Sequence, residues 1–197
     1  GTAPVRAGSI DVDGVEVTQA SPKRRLEMGV RLIAEDRHEE AIIEDWSLID
    51  NACLGFQARP ELSAGGWFKS SSARSLAQGF ADRFRTKHGG LEHQIGSLSG
   101  GNQQRFVAAR ALGFSPRLIL AFQPARGLDI DATRNVYDGI REACAAGAGA
   151  IVVSFDLDEL LENAHRIVVM NGGRMFTPEQ GFERDRGEIG RLMVGAE

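Results

Sequence analysis

Leu98-Ser99-Gly100-Gly101-Asn102-Gln103-Gln104-Arg105 is followed by apolar residues at helical spacing, so this stretch is predicted to open a helix. Two adjacent glycines let backbone N–H groups approach an anion closely, because neither carries a Cβ atom. Ser99 is a favoured N-cap residue, and the N-terminus of a helix carries partial positive charge. The stretch therefore predicts a binding surface for phosphate, which is half of an ATP site.

The bulk composition limits the class of protein. With 197 residues and 42% hydrophobic content, the chain can bury the core of one domain, or of one domain with an inserted subdomain. A net charge of -4 and scattered basic residues give no sign of a nucleic-acid-binding surface. No run approaches the roughly 20 apolar residues of a membrane-spanning helix, and nothing resembles a signal peptide. We expect a soluble cytosolic chain, and the start at Gly1 suggests a piece of a longer protein.

The two cysteines point to no special chemistry. Cys53 and Cys144 lie far apart in the sequence and fit no metal-ligand or redox spacing. Each is interpreted as a small buried thiol.

The first 40 residues predict a hairpin, a helix and a strand. Residues 9–17 alternate around Asp13-Gly14, which is typical of a hairpin with a type I′ turn. Ser21-Pro22 supplies an N-cap and a first-turn proline for a short helix that Gly29 ends. A strand over residues 30–34 follows.

Residues 41–97 predict an inserted helical subdomain. Helical segments run from 41 to 91 and are broken at 64–66 and again at Lys69-Ser70-Ser71-Ser72. Leu76, Phe80 and Phe84 recur at helical spacing, so they are interpreted as an apolar face packed on its neighbours.

Residues 98–197 alternate helices with apolar strands. The first helix ends near Gly113, and residues 118–122 predict a buried strand. A helix around 133–143 precedes a second apolar run at 150–155, and a further helix at 156–161 precedes a strand at 166–170. This alternation predicts an α/β fold with a mainly parallel sheet covered on both faces.

Taken together, these segments resemble the nucleotide-binding domain of ABC transporters, and most closely the second domain of the tandem ATPases of bacterial sugar and nucleoside importers. Residues 98–104 match the family signature, including the Asn-Gln-Gln ending frequent in the sugar-type branch. Pro124-Ala125-Arg126-Gly127-Leu128-Asp129 stands where the family has Pro-Thr-x-x-Leu-Asp and its D-loop. The resemblance implies that Asp129 couples two sites of a dimer. The alternative is that Gly127 is a turn residue and Asp129 a helix N-cap.

A third match is Glu35-Asp36-Arg37, which resembles the Glu-Asp-Arg that this branch carries at the Q-loop. Other members present glutamine there to magnesium and to the membrane domain. The resemblance places Glu35 at a coupling interface. The alternative is a solvated charged turn.

Departures from the family remove the catalytic groups. No P-loop of the form Gly-x-x-x-x-Gly-Lys-Ser/Thr occurs, so we expect a partial P-loop NTPase fold truncated before Walker A. Phe122 stands where the magnesium-orienting aspartate belongs, and Gln123 stands at the position of the catalytic glutamate. Phe155 replaces the switch histidine. A phenyl ring cannot bind magnesium and an amide cannot accept a proton from water, so we expect no hydrolysis.

The resemblance still implies a function that depends on a partner. In this family two nucleotide-binding domains face head to tail, and the signature of one completes the ATP site on the P-loop of the other. We therefore expect Ser99, Gly100, Gly101 and Gln103 to contact ATP that a partner domain with an intact P-loop holds with Mg. No catalytic residue and no metal ligand is expected in this chain.

The resemblance also implies membrane permease domains as partners, touched by the helical segment and by residues 35–44. The protein would then be cytoplasmic and peripheral on the inner face of the cell membrane, with no nucleic-acid partner. One alternative is a non-transport ABC-type ATPase that acts on nucleic acid or ribosomes, against which the negative charge counts. Another is a nucleotide-free interaction module.

Overall fold

A computed structural model describes residues 3–65, 67–181 and 183–195 of the protein. The chain divides into two units, Gly1–Ile151 and Val152–Glu197.

The first unit begins with the predicted hairpin. Strands β1 (Asp11–Val12) and β2 (Val15–Glu16) are antiparallel, and Asp13 and Gly14 between them have φ of 52° and 73°. Two positive φ values are what a type I′ turn requires. Helix α1 (Pro22–Glu27) has Ser21 as N-cap, and its Oγ accepts a hydrogen bond from Arg24 N at 3.2 Å.

Strand β3 (Val30–Ile33) leads to a short helix α2 (Arg37–Glu40) and then to the predicted helical segment. This segment holds α3 (Leu48–Cys53), a small antiparallel pair of β4 (Ser63–Ala64) and β5 (Trp67–Phe68), and α4 (Ser70–Arg83). Gly66, part of the first predicted break, lies outside the described residues.

The second predicted break is wrong, because the serines after Lys69 begin α4 instead of interrupting a helix. The apolar face of this helix explains the difference. Ala73, Ala77 and Phe80 are buried along it, and burial of such a face outweighs the modest helix propensity of serine. Phe84, just past the helix, is also buried, while Leu76 is half-buried, so the packing interpretation of this face is confirmed.

The first unit contains a three-stranded sheet, whose last strand continues past the unit boundary at Ile151. After a short 3-10 helix (Ile95–Ser97) come α5 (Gly100–Gly113), β6 (Leu118–Phe122), α6 (Ile130–Ala145) and β7 (Gly149–Val153). The strand order is β3-β6-β7, and β3 runs parallel to β6 with Val30 opposite Leu118. The parallel pair confirms the α/β prediction. Ile33 and Ile119 of the sheet, and Phe106 of α5, are fully buried.

Two expectations of burial hold only in part. The apolar strand β7 keeps Ile151 and Val153 exposed. Cys53 is buried, and burial raises the pKa of its thiol to about 11, as expected for an inert structural cysteine. Cys144 is only half-buried.

The second unit contains α7 (Leu157–Asn163), a hairpin of β8 (Val169–Asn171) and β9 (Arg174–Phe176), and α8 (Arg186–Val194). Strand β8 is shorter than predicted and β9 was not predicted. Gly172 and Gly173 both have positive φ, so they fold the chain back into a hairpin. Ile167, Val169 and Ile189 form a small apolar core within this unit.

Among the described residues no helix combines the length and the apolar character needed to cross a membrane.

Candidate functional site

The first turn of α5 has no side-chain cap. Ser99 is the N-cap residue, with φ of -61° and ψ of 151°, but its side chain caps no N–H group. Its Oγ instead accepts a hydrogen bond from Asn102 Nδ2 at 2.8 Å. The first N–H groups of a helix have no intrahelical acceptor, so the N–H groups of this turn can donate to a ligand. No acidic residue lies in the first turn to compensate its positive charge.

The two glycines bring this turn against two other segments. The three atoms nearest to a Cβ built on Gly100 belong to the Arg37 guanidinium, with Nη2 at 2.4 Å. A Cβ built on Gly101 would meet the carbonyl oxygen of Gly127 at 3.5 Å and Leu128 Cδ2 at 3.8 Å. The fold therefore brings together three stretches that are separate in the sequence and that match family motifs, namely residues 35–37, 98–105 and 124–129.

Both glutamines of the 98–105 stretch face the interior. Gln103 is buried, and its Oε1 accepts a hydrogen bond from Arg37 Nε at 2.8 Å while its Nε2 donates to Ile95 O at 3.2 Å. Gln104 is also buried and donates from Nε2 to Pro124 O at 3.2 Å. The structure thus uses the Gln103 amide within the chain.

Asp129 has two partners in its own chain. Its Oδ1 accepts a hydrogen bond from Ala132 N at 2.8 Å and caps α6, as the N-cap alternative expected. Its Oδ2 accepts from Arg105 Nη2 at 2.8 Å. Gly127 has φ of 75°, which fits a turn residue. The carboxylate of Asp129 remains largely exposed, so it can also face a second molecule.

Glu35 lies at the surface and accepts a hydrogen bond from Arg126 Nη1 at 2.9 Å. Both side chains are well exposed, so the pair contributes little to stability. The pair does show that residues 35–37 lie beside residues 124–129. The next residue, Asp36, caps α2 by accepting from His38 N and Glu39 N.

The expected catalytic positions hold no carboxylate. Phe122 ends β6 and is 40% exposed. Gln123 has φ of 47° and its carbonyl oxygen accepts from Arg126 N at 3.0 Å, so it starts a tight turn. Phe155, in the second unit, is 76% exposed and precedes Asp156, the N-cap of α7. Within the described part of the chain, no three His, Cys, Asp or Glu side chains gather as metal ligands.

Sequence reasoning missed three arginines that organise this region. Arg105 and Arg126 pair with Asp129 and Glu35, and Arg37 bonds to a glutamine 66 positions away. In the sequence, Arg37 is only the end of a charged tripeptide. No local pattern signals a partner at that distance.

The fold is that of an ATP-binding cassette. A dimeric ATP-binding cassette in a post-hydrolysis state with ADP and Pi superposes with a TM-score of 0.71 and 20% identity, over 87% of this chain and 74% of that one. A nucleotide-free cassette from an ABC transporter gives a TM-score of 0.72 and 16% identity, over 98% and 78% of the two chains. The fold that these structures share with the chain is therefore that of an ATP-binding cassette, with the α/β architecture that the sequence predicted.

Its relatives in sequence are the ATP-binding proteins of ribose and nucleoside importers. The ribose import ATP-binding protein RbsA of Streptococcus agalactiae is 31% identical over 190 residues, which is 96% of this chain and 38% of the relative. RbsA 2 of Mesorhizobium japonicum is 37% identical over 169 residues, 86% of this chain and 33% of the relative. The nucleoside import ATP-binding protein NupA of Lactococcus lactis is 31% identical over 198 residues, 99% and 38% of the two chains.

The chain spans between a third and two fifths of the length of these curated relatives. No protein-family model matches it.

Proposed function

We propose that this chain acts as the signature half of a shared ATP site. It presents Ser99, Gly100 and Gly101 at the start of α5 to the phosphates of ATP that a partner domain holds on its own P-loop. The observation that carries the proposal is the first turn of this helix, which has no side-chain cap and no acidic residue. Such a turn binds an anion through its N–H groups and its dipole.

The roles of the other site residues follow from their positions. Gln103 acts from the interior, since its amide is buried and bonded at both ends. Asp129 and Glu35 have exposed side chains and serve as coupling residues between the two domains. Asp129 is suited to this role because its exposed carboxylate is already oriented by Arg105 and Ala132 N.

The chain itself does not hydrolyse ATP under this proposal. Phe122 offers no ligand to the metal, Gln123 offers no base to the attacking water, and Phe155 offers no imidazole to the γ-phosphate. Mg and the attacking water belong to the partner's site. The sequence contains no P-loop motif that would hold the phosphates in this chain.

The parent assembly is an ABC importer of the sugar or nucleoside type. ATP binding between the two domains closes them on each other, and this closure moves membrane permease domains. The proposal places the protein in the cytoplasm, peripheral on the inner face of the membrane. Its support is the likeness to ribose and nucleoside import ATP-binding proteins over nearly the whole of this chain.

A binding experiment tests the shared site. A fluorescent ATP analogue is titrated into this chain alone, into a cassette with an intact P-loop from the same transporter, and into their mixture. We expect no saturable binding to this chain alone and a higher affinity in the mixture than for the partner alone. Tight binding to this chain alone, or an unchanged affinity in the mixture, would contradict the proposal.

A further inference from the structure

Arg37 occupies the space above the signature turn. The three atoms nearest to a Cβ built on Gly100 are its Nη2, Cζ and Nη1, at 2.4, 3.3 and 3.9 Å. The guanidinium therefore lies directly against the backbone that opens α5. Only glycine leaves room for it in this position.

Gln103 holds the guanidinium by one edge. Arg37 Nε donates to Gln103 Oε1 at 2.8 Å, and Gln103 is fixed in turn by its bond to Ile95 O at 3.2 Å. Because Gln103 is buried, this support is rigid and shielded from water. This bond uses Nε, and within the described residues the Nη1 and Nη2 groups of the half-buried Arg37 form no hydrogen bond.

Arg37 differs from the other arginines of the site in its charge balance. Arg105 is paired with Asp129 and Arg126 with Glu35. Within the described residues no carboxylate forms an ion pair with Arg37. A guanidinium beside an uncapped helix N-terminus sets positive charge next to positive charge, which is unfavourable unless an anion lies between them.

We propose that Arg37 is a phosphate-binding residue of the signature site. Its Nη groups donate to the terminal phosphate of the partner-held ATP, beside the N–H groups of Gly100 and Gly101. Gln103 is the positioning residue that sets the angle of the guanidinium. This inference rests on the proposed function, because it assigns a further ligand to the same site.

Two substitutions of Arg37 separate the effect of its positive charge from the effect of its planar guanidinium. Arg37→Gln removes the positive charge, and Arg37→Lys keeps it without the planar fork. The readout is ATP-dependent association of this chain with the intact partner cassette, measured at low and at high ionic strength. We expect Arg37→Gln to weaken association about tenfold at low ionic strength, and Arg37→Lys to weaken it less. The difference between them should shrink at high ionic strength, because salt screens charges.

Gly100→Ala gives an independent test through the neighbouring residue. The added methyl group displaces a flexible side-chain end, so it should leave the fold intact and push the guanidinium away. If both changes act through Arg37, the double variant Gly100→Ala with Arg37→Gln should associate about as weakly as Arg37→Gln alone. Additive losses would show that Gly100 acts without Arg37 and would overturn the inference.

The outcomes distinguish this inference from the function on which it rests. Gly101→Asp should abolish association if the signature turn binds phosphate at all. If Gly101→Asp abolishes association while Arg37→Gln leaves it unchanged, Arg37 has no part in the site and the shared site stands. If neither substitution has an effect, the shared site itself fails. A loss in Arg37→Gln that is equal at both ionic strengths and follows a loss of thermal stability would make Arg37 merely structural.

Discussion

At the scale of single residues, the site depends on where a side chain is absent. Gly100 leaves room for the Arg37 guanidinium. A Cβ added to Gly101 would lie in van der Waals contact with the carbonyl oxygen of Gly127. Because neither glycine has a side chain, the segments that carry Arg37 and Gly127 both approach the first turn of α5 closely. Ser99 contributes its position more than its side chain, since its hydroxyl is bonded to Asn102 instead of capping the helix.

Gly101→Asp should have opposite effects on folding and on binding. A carboxylate in the first turn of α5 interacts favourably with the helix dipole, by about 0.3–1 kcal/mol, so urea denaturation should show an unchanged or slightly raised stability. The same charge repels phosphate, so ATP-dependent association with the partner cassette should be lost. Gly101→Asn is the control of equal size and should retain most of the association. Equal losses in both variants would point to a steric effect and not to charge.

At the scale of elements, α5 is held from several sides. Phe106 is fully buried, and Arg110 donates hydrogen bonds to the carbonyl oxygens of Asn51 and Ala41. Desolvation lowers the pKa of Arg110 to about 10. At the C-terminal end of α5, Gly113 faces the ring of Phe80 on α4. These contacts fix the direction of the helix whose other end forms the candidate site.

Arg110→Met should destabilise the first unit. The change leaves two partly buried carbonyl groups without their donor, which costs about 1–3 kcal/mol, although removing a desolvated charge offsets part of this loss. Arg24→Met is the control, because Arg24 forms only an exposed ion pair with Glu27 and should change the stability by less than about 0.5 kcal/mol. Urea denaturation of both variants measures the difference. Equal stabilities would show that the Arg110 contacts contribute nothing.

Two glycines on neighbouring helices should respond oppositely to alanine. A Cβ on Gly113 would come within 2.2 Å of Phe80 Cε1, and that ring is packed against Phe106 and Phe114. Gly113→Ala should therefore cost about 1–3 kcal/mol through overpacking. Gly79 on α4 has open space, so Gly79→Ala should stabilise by about 1 kcal/mol through helix propensity alone. Thermal unfolding of the two variants should move the midpoint in opposite directions, and a shift of the same sign would contradict this packing.

At the scale of the whole molecule, the chain has the fold of an ATP-binding cassette. The parallel pair β3 and β6 and the helices beside it remain. The strand that ends at Phe122 carries no acid there, and the turn that follows begins with Gln123 at φ of 47°. Under the proposed function, such a chain completes the ATP site of another domain.

Restoring the two acids should not restore catalysis. The double variant Phe122→Asp with Gln123→Glu regains a metal ligand and a base, but the sequence still offers no P-loop to hold the nucleotide phosphates. Phosphate release by this variant should equal that of the unaltered chain and of buffer. Circular dichroism confirms that the variant is folded. Turnover by the variant alone would show that the chain holds ATP by itself and would overturn the proposed function.

The sequence by itself determined the features that depend on neighbours along the chain. Asp13-Gly14 specified the hairpin turn, Ser21-Pro22 the start of α1, and the double glycine the opening of α5, because local φ and ψ preferences and caps act over a few residues. Apolar runs fixed β6 and the helical face of α4. The same reasoning misjudged the serines after Lys69, since a buried face on one side of a helix outweighs weak propensities.

Only the tertiary structure decided how the site is assembled. The bond between Arg37 and Gln103 joins residues 66 positions apart, and the pair of Glu35 and Arg126 spans 91 positions. The sequence marked each of these segments as charged or polar, but not which side chains meet. Partners at such separations are set by the packing of α5 against β3 and the turn after β6, because each polar group takes the donor or acceptor that the assembled fold places within reach.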